Sequence, residues 1–214
     1  MRLLEVLADN LSEFSNTEEQ RLIVSGVTWE QYSTLVNIYT DEYPSLHMTY
    51  SNGVLDVMTT SKEHERLKTI IGRLLEMYFV EKRINLNGCG QTTIRQELVQ
   101  KGLEPDECYC FGELKEVPDI AIEIFLTSGG IDKLEVYLGL QIPEVWFWYA
   151  KQQQWKLYRL RDESTNQPRY EIISRSEFLP ELDLDLLSQF ISATNQTEAV
   201  IAYRDALRPN PDFL

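Results

Sequence analysis

The sequence predicts one α/β domain, a mixed sheet flanked by helices, and three observations lead to it. Within residues 61–81, Leu67, Ile70, Ile71, Leu74, Leu75 and Tyr78 keep the spacing of a helix with one apolar face. The run VPDIAIEIFL alternates Ile120, Ile122 and Ile124 against Asp119, Ala121 and Glu123, which is the period of a strand. From residue 61 to Ala150 the elements read as a helix, three strands, a helix and another strand, an order that buries its apolar faces as a sheet covered by helices. A chain of 214 residues can build one large core. No repeat, low-complexity tract or Gly/Ser linker marks a boundary within it.

Each element has its own signal. Residues 1–25 are polar and weakly patterned, which predicts a loosely packed arm. Thr28 as N-cap with Gln31 three places on opens a helix to about Tyr39. Two strands, LHMTY and VLDVM, flank Ser51-Asn52-Gly53, and Asn-Gly between apolar runs is a strong hairpin signal. Thr60 and Glu63 form a second capping box ahead of the long helix. Gly88 and Gly90 then break the chain, QTTIRQEL reads as a strand, and a loop is expected around Lys101-Gly102. DECYCF and VPDIAIEIFL follow as strands, Ser128-Gly129-Gly130 as a loop, and 131–140 as a helix. The core therefore covers 45–150. Beyond it, EVWFWYA (which closes the core), QWKLYRL and RYEIIS predict strands, ELDLDLLSQFIS an amphipathic helix, and 196–207 a last helix.

Composition limits what the chain can be. No stretch approaches the ~18 apolar residues that cross a bilayer. Three cysteines, Cys89, Cys108 and Cys110, fit neither a disulfide framework nor a common zinc pattern. Cys108 and Cys110 read as small buried strand residues, and the reducing cytoplasm is the natural setting for the chain. A formal charge of −14 opposes simple nucleic-acid binding, which normally rests on a basic surface. An activity on DNA would need metal ions, a local basic surface or a partner subunit.

Glu123 is the most informative residue, because it interrupts the apolar strand IAIEIF. A buried carboxylate is costly unless it is paired, with Arg95 for example, or holds a metal. A second carboxylate on the same ion must lie close. Asp119 shares the Glu123 face but sits four residues away, about 13 Å along a strand, too far for magnesium–oxygen bonds of ~2.1 Å. Asp106 starts the preceding strand, and adjacent strands are only ~4.8 Å apart. Asp106 and Glu123 are the expected pair, with Asp119 satisfying nearby backbone donors. His64 lies in register with Leu67 and Ile71, so it is either a satisfied core residue or, like its neighbour Glu65, a side chain reaching the pair. With only His47 and His64 in the chain, a histidine-rich zinc site is excluded, and oxygen ligands point to Mg2+ or Mn2+. Lys133 opens a helix, where a cation is mildly unfavourable. It reads either as a solvated lysine or as a charge placed for phosphate or water.

The blocks MTYSNGVLDVMTTSKEHERLKTIIGRLL, EPDECYCF and VPDIAIEIFLTSGGIDKLEVYLGLQIPEVWFWY closely resemble the Uma-type family of candidate bacterial restriction endonucleases, grouped by similarity with the PD-(D/E)xK nucleases. The likeness implies a restriction-endonuclease-like αβββαβ core. It also implies Asp106 and Glu123 as the acidic ligands, His64 or Glu65 as the helix residue, and DNA as substrate. The usual lysine two places after Glu123 is Phe125 here, and Lys133, in a K-x-x-x-Y block with Tyr137, fits a relocated lysine.

The expected activity is phosphodiester hydrolysis aided by one or two divalent ions on Asp106, Glu123 and the Ile124 carbonyl. Two rivals remain: a catalytically inactive module for interaction or assembly, favoured by Phe125 and the acidic charge, and an enzyme for a small phosphorylated metabolite. The aromatic strands at 146–149 and 155–158 suggest a homodimer interface. Repulsion between two close carboxylates predicts that removing either charge leaves the metal-free chain equally stable or more stable.

Overall fold

The computed structural model describes residues 19–42, 46–127, 129–161 and 168–208. In chain order, β1 (Gln20–Ser25) precedes α1 (Trp29–Glu42). The predicted capping box opens α1: Thr28 N donates to Gln31 Oε1 at 2.8 Å, and Gln31 N to Thr28 Oγ1 at 3.2 Å. β2 (Leu46–Ser51) and β3 (Val54–Thr59) form the hairpin, turned by Asn52 and Gly53 with φ of 47° and 87°. Left-handed backbone at both positions is what a two-residue hairpin turn requires. α2 (Lys62–Lys82) is the long helix. Its cap is Ser61 rather than Thr60, accepting from His64 N at 3.2 Å, while Glu63 turns outward to Arg66.

After α2 come β4 (Leu86–Gly88), β5 (Ile94–Gln96), a 3-10 turn (Glu97–Val99), β6 (Lys101–Leu103), β7 (Glu107–Phe111) and β8 (Ile120–Phe125). α3 (Lys133–Gly139) crosses over to β9 (Glu144–Tyr149), then β10 (Gln154–Arg161) and β11 (Arg169–Ile173), and α4 (Leu184–Ile191) and α5 (Gln196–Leu207) complete the described chain. The strands form two sheets, of order β1-β3-β2-β6-β5 and β11-β10-β9-β8-β7-β4. β8 and β9 are parallel, joined through α3, and the other pairs are antiparallel.

Three expectations are corrected. Residues 20–25 belong to no loose arm: β1 pairs with β3 along its whole length, from Gln20 opposite Thr59 to Ser25 opposite Val54. The remainder of that proposed arm, 1–18, lies outside the described residues, as does Ser128 of the predicted loop. Lys101-Gly102 is a strand rather than a loop, and Gly102 has a reason: a Cβ there would collide with the Tyr32 ring, which stacks on Tyr50 at 4.8 Å. QTTIRQEL contributes only the short β5 and joins the first sheet, so β4 completes the three-strand run after α2. Three residues carry too little periodicity to announce a strand.

The alternation in β8 distributes its side chains between two cores. Ile120, Ile122 and Ile124 pack with Trp146, Trp148 and the apolar stripe of α2. Ala121 faces the other way, with Phe147, Val145 and the α3 residues Val136 and Tyr137. β9 lies between β8 and β10, so Trp146, Phe147 and Trp148 are buried within the chain's own layers, and Trp155 donates to Ser188 Oγ at 3.1 Å. Trp146, Phe147 and Trp148 are thus covered within the chain, while Tyr149, Trp155 and Tyr158 are half-buried. Cys108 and Cys110 are buried strand residues of β7, and all three thiols are free. Among the described residues no helix is long and apolar enough to cross a membrane.

Candidate active site

β7 and β8 run antiparallel with Glu107 opposite Ile122 and Cys108 opposite Ala121. One further step of that register sets Asp106 opposite Glu123, and directly opposed residues project from the same face. Both side chains are buried, Asp106 fully and Glu123 to 1% exposure. The first sheet covers them with the polar face of its hairpin, on which His47 and Asp56 lie.

Asp106 is held by three elements. Its Oδ2 accepts from Ile124 N at 2.7 Å, and its Oδ1 lies 2.9 Å from His64 Nε2. His64 Nδ1 is 2.8 Å from Glu19 Oε1, and Glu19 Oε2 accepts from Thr127 Oγ1 at 2.7 Å. With a carboxylate at each ring nitrogen, both nitrogens must donate, so His64 is an imidazolium. Burial alone would lower its pKa, but the charge of Asp106 and the bonds from Asp106 and Glu19 lift it to about 10. Burial works against Asp106 too, yet the His64 charge and hydrogen bond hold its carboxyl well below the usual carboxylate range.

Glu123 is held from α3. Lys133 and Tyr137 are one helical turn apart and therefore share a face. Lys133 Nζ donates to Glu123 Oε2 and the Tyr137 hydroxyl to Oε1, each at 2.5 Å. Asp132 caps the helix by accepting from Leu134 N at 3.0 Å, which fixes where Lys133 starts. Burial pushes Glu123 up to about 7 against the pull of Lys133, and Glu123 and Asp106 in turn keep the buried Lys133 ammonium charged. Lys133, 10% exposed, is no solvated surface lysine, and it stands in the place of the Arg95 considered as the partner of Glu123. Arg95 instead donates to Asn37 Oδ1.

Of the expected residues, the structure brings together Asp106, Glu123, Lys133 and His64, with Ile124 beside them. Glu65 is not among them: its side chain is 46% exposed and lies 3.8 Å from Lys68 Nζ. One residue apart on a helix means about 100° of rotation, so His64 faces inward and Glu65 does not. Asp119 has the structural task expected of it, accepting from Phe111 N at 2.8 Å and Lys115 Nζ at 2.5 Å.

Three participants were not foreseen. Glu19 carries no motif at all. His47 sits on β2 with its ring centroid 6.2 Å from that of His64 and its Nδ1 3.8 Å from Asp106 Oδ1. Burial pushes its pKa down to about 3, so it is neutral. Third, Arg21 on β1 pairs with Asp56 at 3.3 Å and donates to the Gly129 carbonyl, while Asp56 Oδ2 accepts from Ile131 N at 3.0 Å. This clamp ties the first sheet to the loop that delivers Lys133. Gly130 passes between its jaws with φ of 89°, and a Cβ there would collide with Asp56 and Arg21. Gly130→Ala should therefore cost more than the roughly 1–3 kcal/mol of a strained left-handed residue alone. Gly26→Ala (φ 79°, open space around it) isolates that strain. Urea unfolding of the two variants checks this, and equal losses would refute the clamp.

The donor set suits a hard divalent ion. Two carboxylates retain spare lone pairs, and because the N–H and C=O of a strand residue point to the same edge, the Ile124 carbonyl faces the Asp106 side. Among the described residues no three His, Cys, Asp or Glu side chains form a ready metal cage.

The mixed α/β architecture, with a helix, three strands, a helix and a further strand around the carboxylate pair, is consistent with a restriction-endonuclease-like fold. The chain belongs to the Uma2 family, described as "Putative restriction endonuclease", whose model matches residues 29–187. A comparison with curated proteins gives no match.

Proposed function

We propose that this chain is a cytoplasmic, metal-dependent endonuclease that hydrolyses phosphodiester bonds in DNA. The observation that carries the reading is the bond from Lys133 Nζ to Glu123 Oε2. It supplies from α3 the cation that Phe125 fails to supply from β8. Asp106, Glu123 and the Ile124 carbonyl would hold Mg2+ or Mn2+, which when bound lowers the pKa of an attacking water and shields charge on the leaving oxygen. Tyr137 fixes the Glu123 rotamer, and His64 holds Asp106 ionised. Lys133 offers a charged donor to a phosphate oxygen in a site from which bulk water is excluded, where such a charge acts strongly.

One observation favours the rival class, an interaction module without catalysis. All four carboxylate oxygens of Asp106 and Glu123 already have partners within the chain. A single assay separates the readings: nicking of supercoiled DNA with Mg2+ or Mn2+. The wild type should cleave, and Lys133→Met should cleave at least tenfold more slowly, about 1.4 kcal/mol of barrier. Its melting temperature should change little, because Glu123 can neutralise itself by taking up a proton. Absence of metal-dependent cleavage would leave the interaction module, and hydrolysis of nucleotides but not polymers would point to a small phosphorylated substrate.

A further inference from the structure

The hairpin buries a polar side chain beside the carboxylate pair and gives it nothing to bind. His47 is 3% exposed, and among the described residues neither of its ring nitrogens has a hydrogen-bond partner. A buried donor or acceptor left unsatisfied is destabilising, and a ligand from outside the chain would satisfy this unpaired imidazole. Its Nδ1 points at Asp106 Oδ1 across 3.8 Å. That gap is too long for a hydrogen bond, but it lies within the span of two metal–ligand bonds of about 2.1 Å each. His64, on the other side of Asp106 Oδ1, cannot play this part, since both its nitrogens are engaged by carboxylates.

We propose that His47 is a nitrogen ligand, through Nδ1, to the divalent cation held by Asp106, and that it turns the site towards Mn2+ and away from Mg2+. The inference rests on the metal site of the proposed function and deepens it. An all-oxygen set accepts Mg2+ readily, whereas imidazole favours transition metals. An imidazole in place of one oxygen donor beside Asp106 and the Ile124 carbonyl therefore raises the preference for Mn2+ over Mg2+.

The test is Mn2+ binding to the full chain, followed by electron paramagnetic resonance, with Mg2+ as competitor. The wild type should bind Mn2+ at least tenfold more tightly than Mg2+, and its spectrum should carry 14N coupling from a directly bound nitrogen. His47→Phe, which keeps a flat ring and removes the nitrogens, should lose both the coupling and the tenfold preference. Its metal-free melting temperature should equal or exceed the wild-type value. If His47→Phe does not fold, the wild-type spectrum decides alone. Mn2+ bound without 14N coupling, or bound equally by the variant, overturns the role of His47 and leaves the carboxylate site standing. No binding of Mn2+ to the wild type overturns both.

Discussion

Asp106→Asn should destabilise the metal-free protein by about 3–5 kcal/mol, the usual cost of removing one partner from a buried ion pair. The carboxylate it replaces is fully buried and faces the imidazolium of His64. An asparagine cannot neutralise that charge, and its amide nitrogen cannot accept from Ile124 N. Repulsion between paired carboxylates, taken alone, predicts the opposite sign for this variant. The structure reverses it, because Asp106 bonds to the charged ring of His64 at 2.9 Å. Glu123→Gln should behave differently. Burial raises that carboxyl against the pull of Lys133, so it carries less of its charge than Asp106 does, and although the amide weakens the Lys133 pair the loss should be smaller than that of Asp106→Asn. Asp119→Asn should be mild, since its Lys115 partner is 44% exposed and such pairs contribute about 0–1 kcal/mol. Thermal unfolding with and without Mn2+ completes the comparison. Stabilisation by the ion should persist in Asp119→Asn and vanish from the other two. An Asp106→Asn protein as stable as wild type would refute the imidazolium–carboxylate pair. A metal response lost from Asp119→Asn and kept in Asp106→Asn would move the site to the other Pro-Asp.

Stability should fall as pH rises from about 6.5 towards 10. His64 has its pKa raised from 6.5 to about 10 in the folded state, so between those values the folded chain holds a proton that the unfolded chain has released. Its contribution is complete below 6.5 and is lost as pH climbs through about 10, at up to ~1.4 kcal/mol per pH unit for one group. Glu123 acts in the same direction at lower pH. Raised from 4.5 to about 7, it holds a proton that the unfolded state gives up, and stability declines across that window. Asp106 has the opposite sign: its depressed pKa stabilises the fold above its ordinary 3.8, and that contribution disappears in acid. His47, which burial lowers from 6.5 to about 3, acts in the opposite direction to Glu123 between those values, so the net decline sets in above about 6.5. Urea unfolding between pH 5 and 9 should show the decline, and His64→Gln should flatten it above 6.5. A wild-type curve that is level or rising between 6.5 and 9 would show that His64 is not held as an imidazolium.

Local sequence patterns announce most of the elements and the carboxylate pair of the cluster. The apolar stripe of α2, the Asn-Gly turn and the alternation of β8 are local patterns, written in neighbouring residues, and each formed where its pattern lay. Glu123 was legible because a carboxylate in an apolar strand conflicts with its surroundings. Asp106 followed from strand spacing, and Asp119 was set aside by the same arithmetic. Tertiary structure decided the rest, because the deciding partners are remote in sequence. Glu19 reaches His64 across 45 residues and Thr127 across 108, with no periodicity to announce it. His47 and Asp56 alternate with the core residues of the hairpin, and only the approach of the second sheet turns that polar face into the wall of a buried site. Helical rotation separates His64 from Glu65, yet the sequence left both open, because the apolar stripe alone does not say what stands opposite it. Lys133 could be solvated or buried on local grounds. The Arg21–Asp56 clamp and the passage of Gly130 between its jaws bring it inward, and a contact between sheets is a property of the folded chain that no single segment encodes.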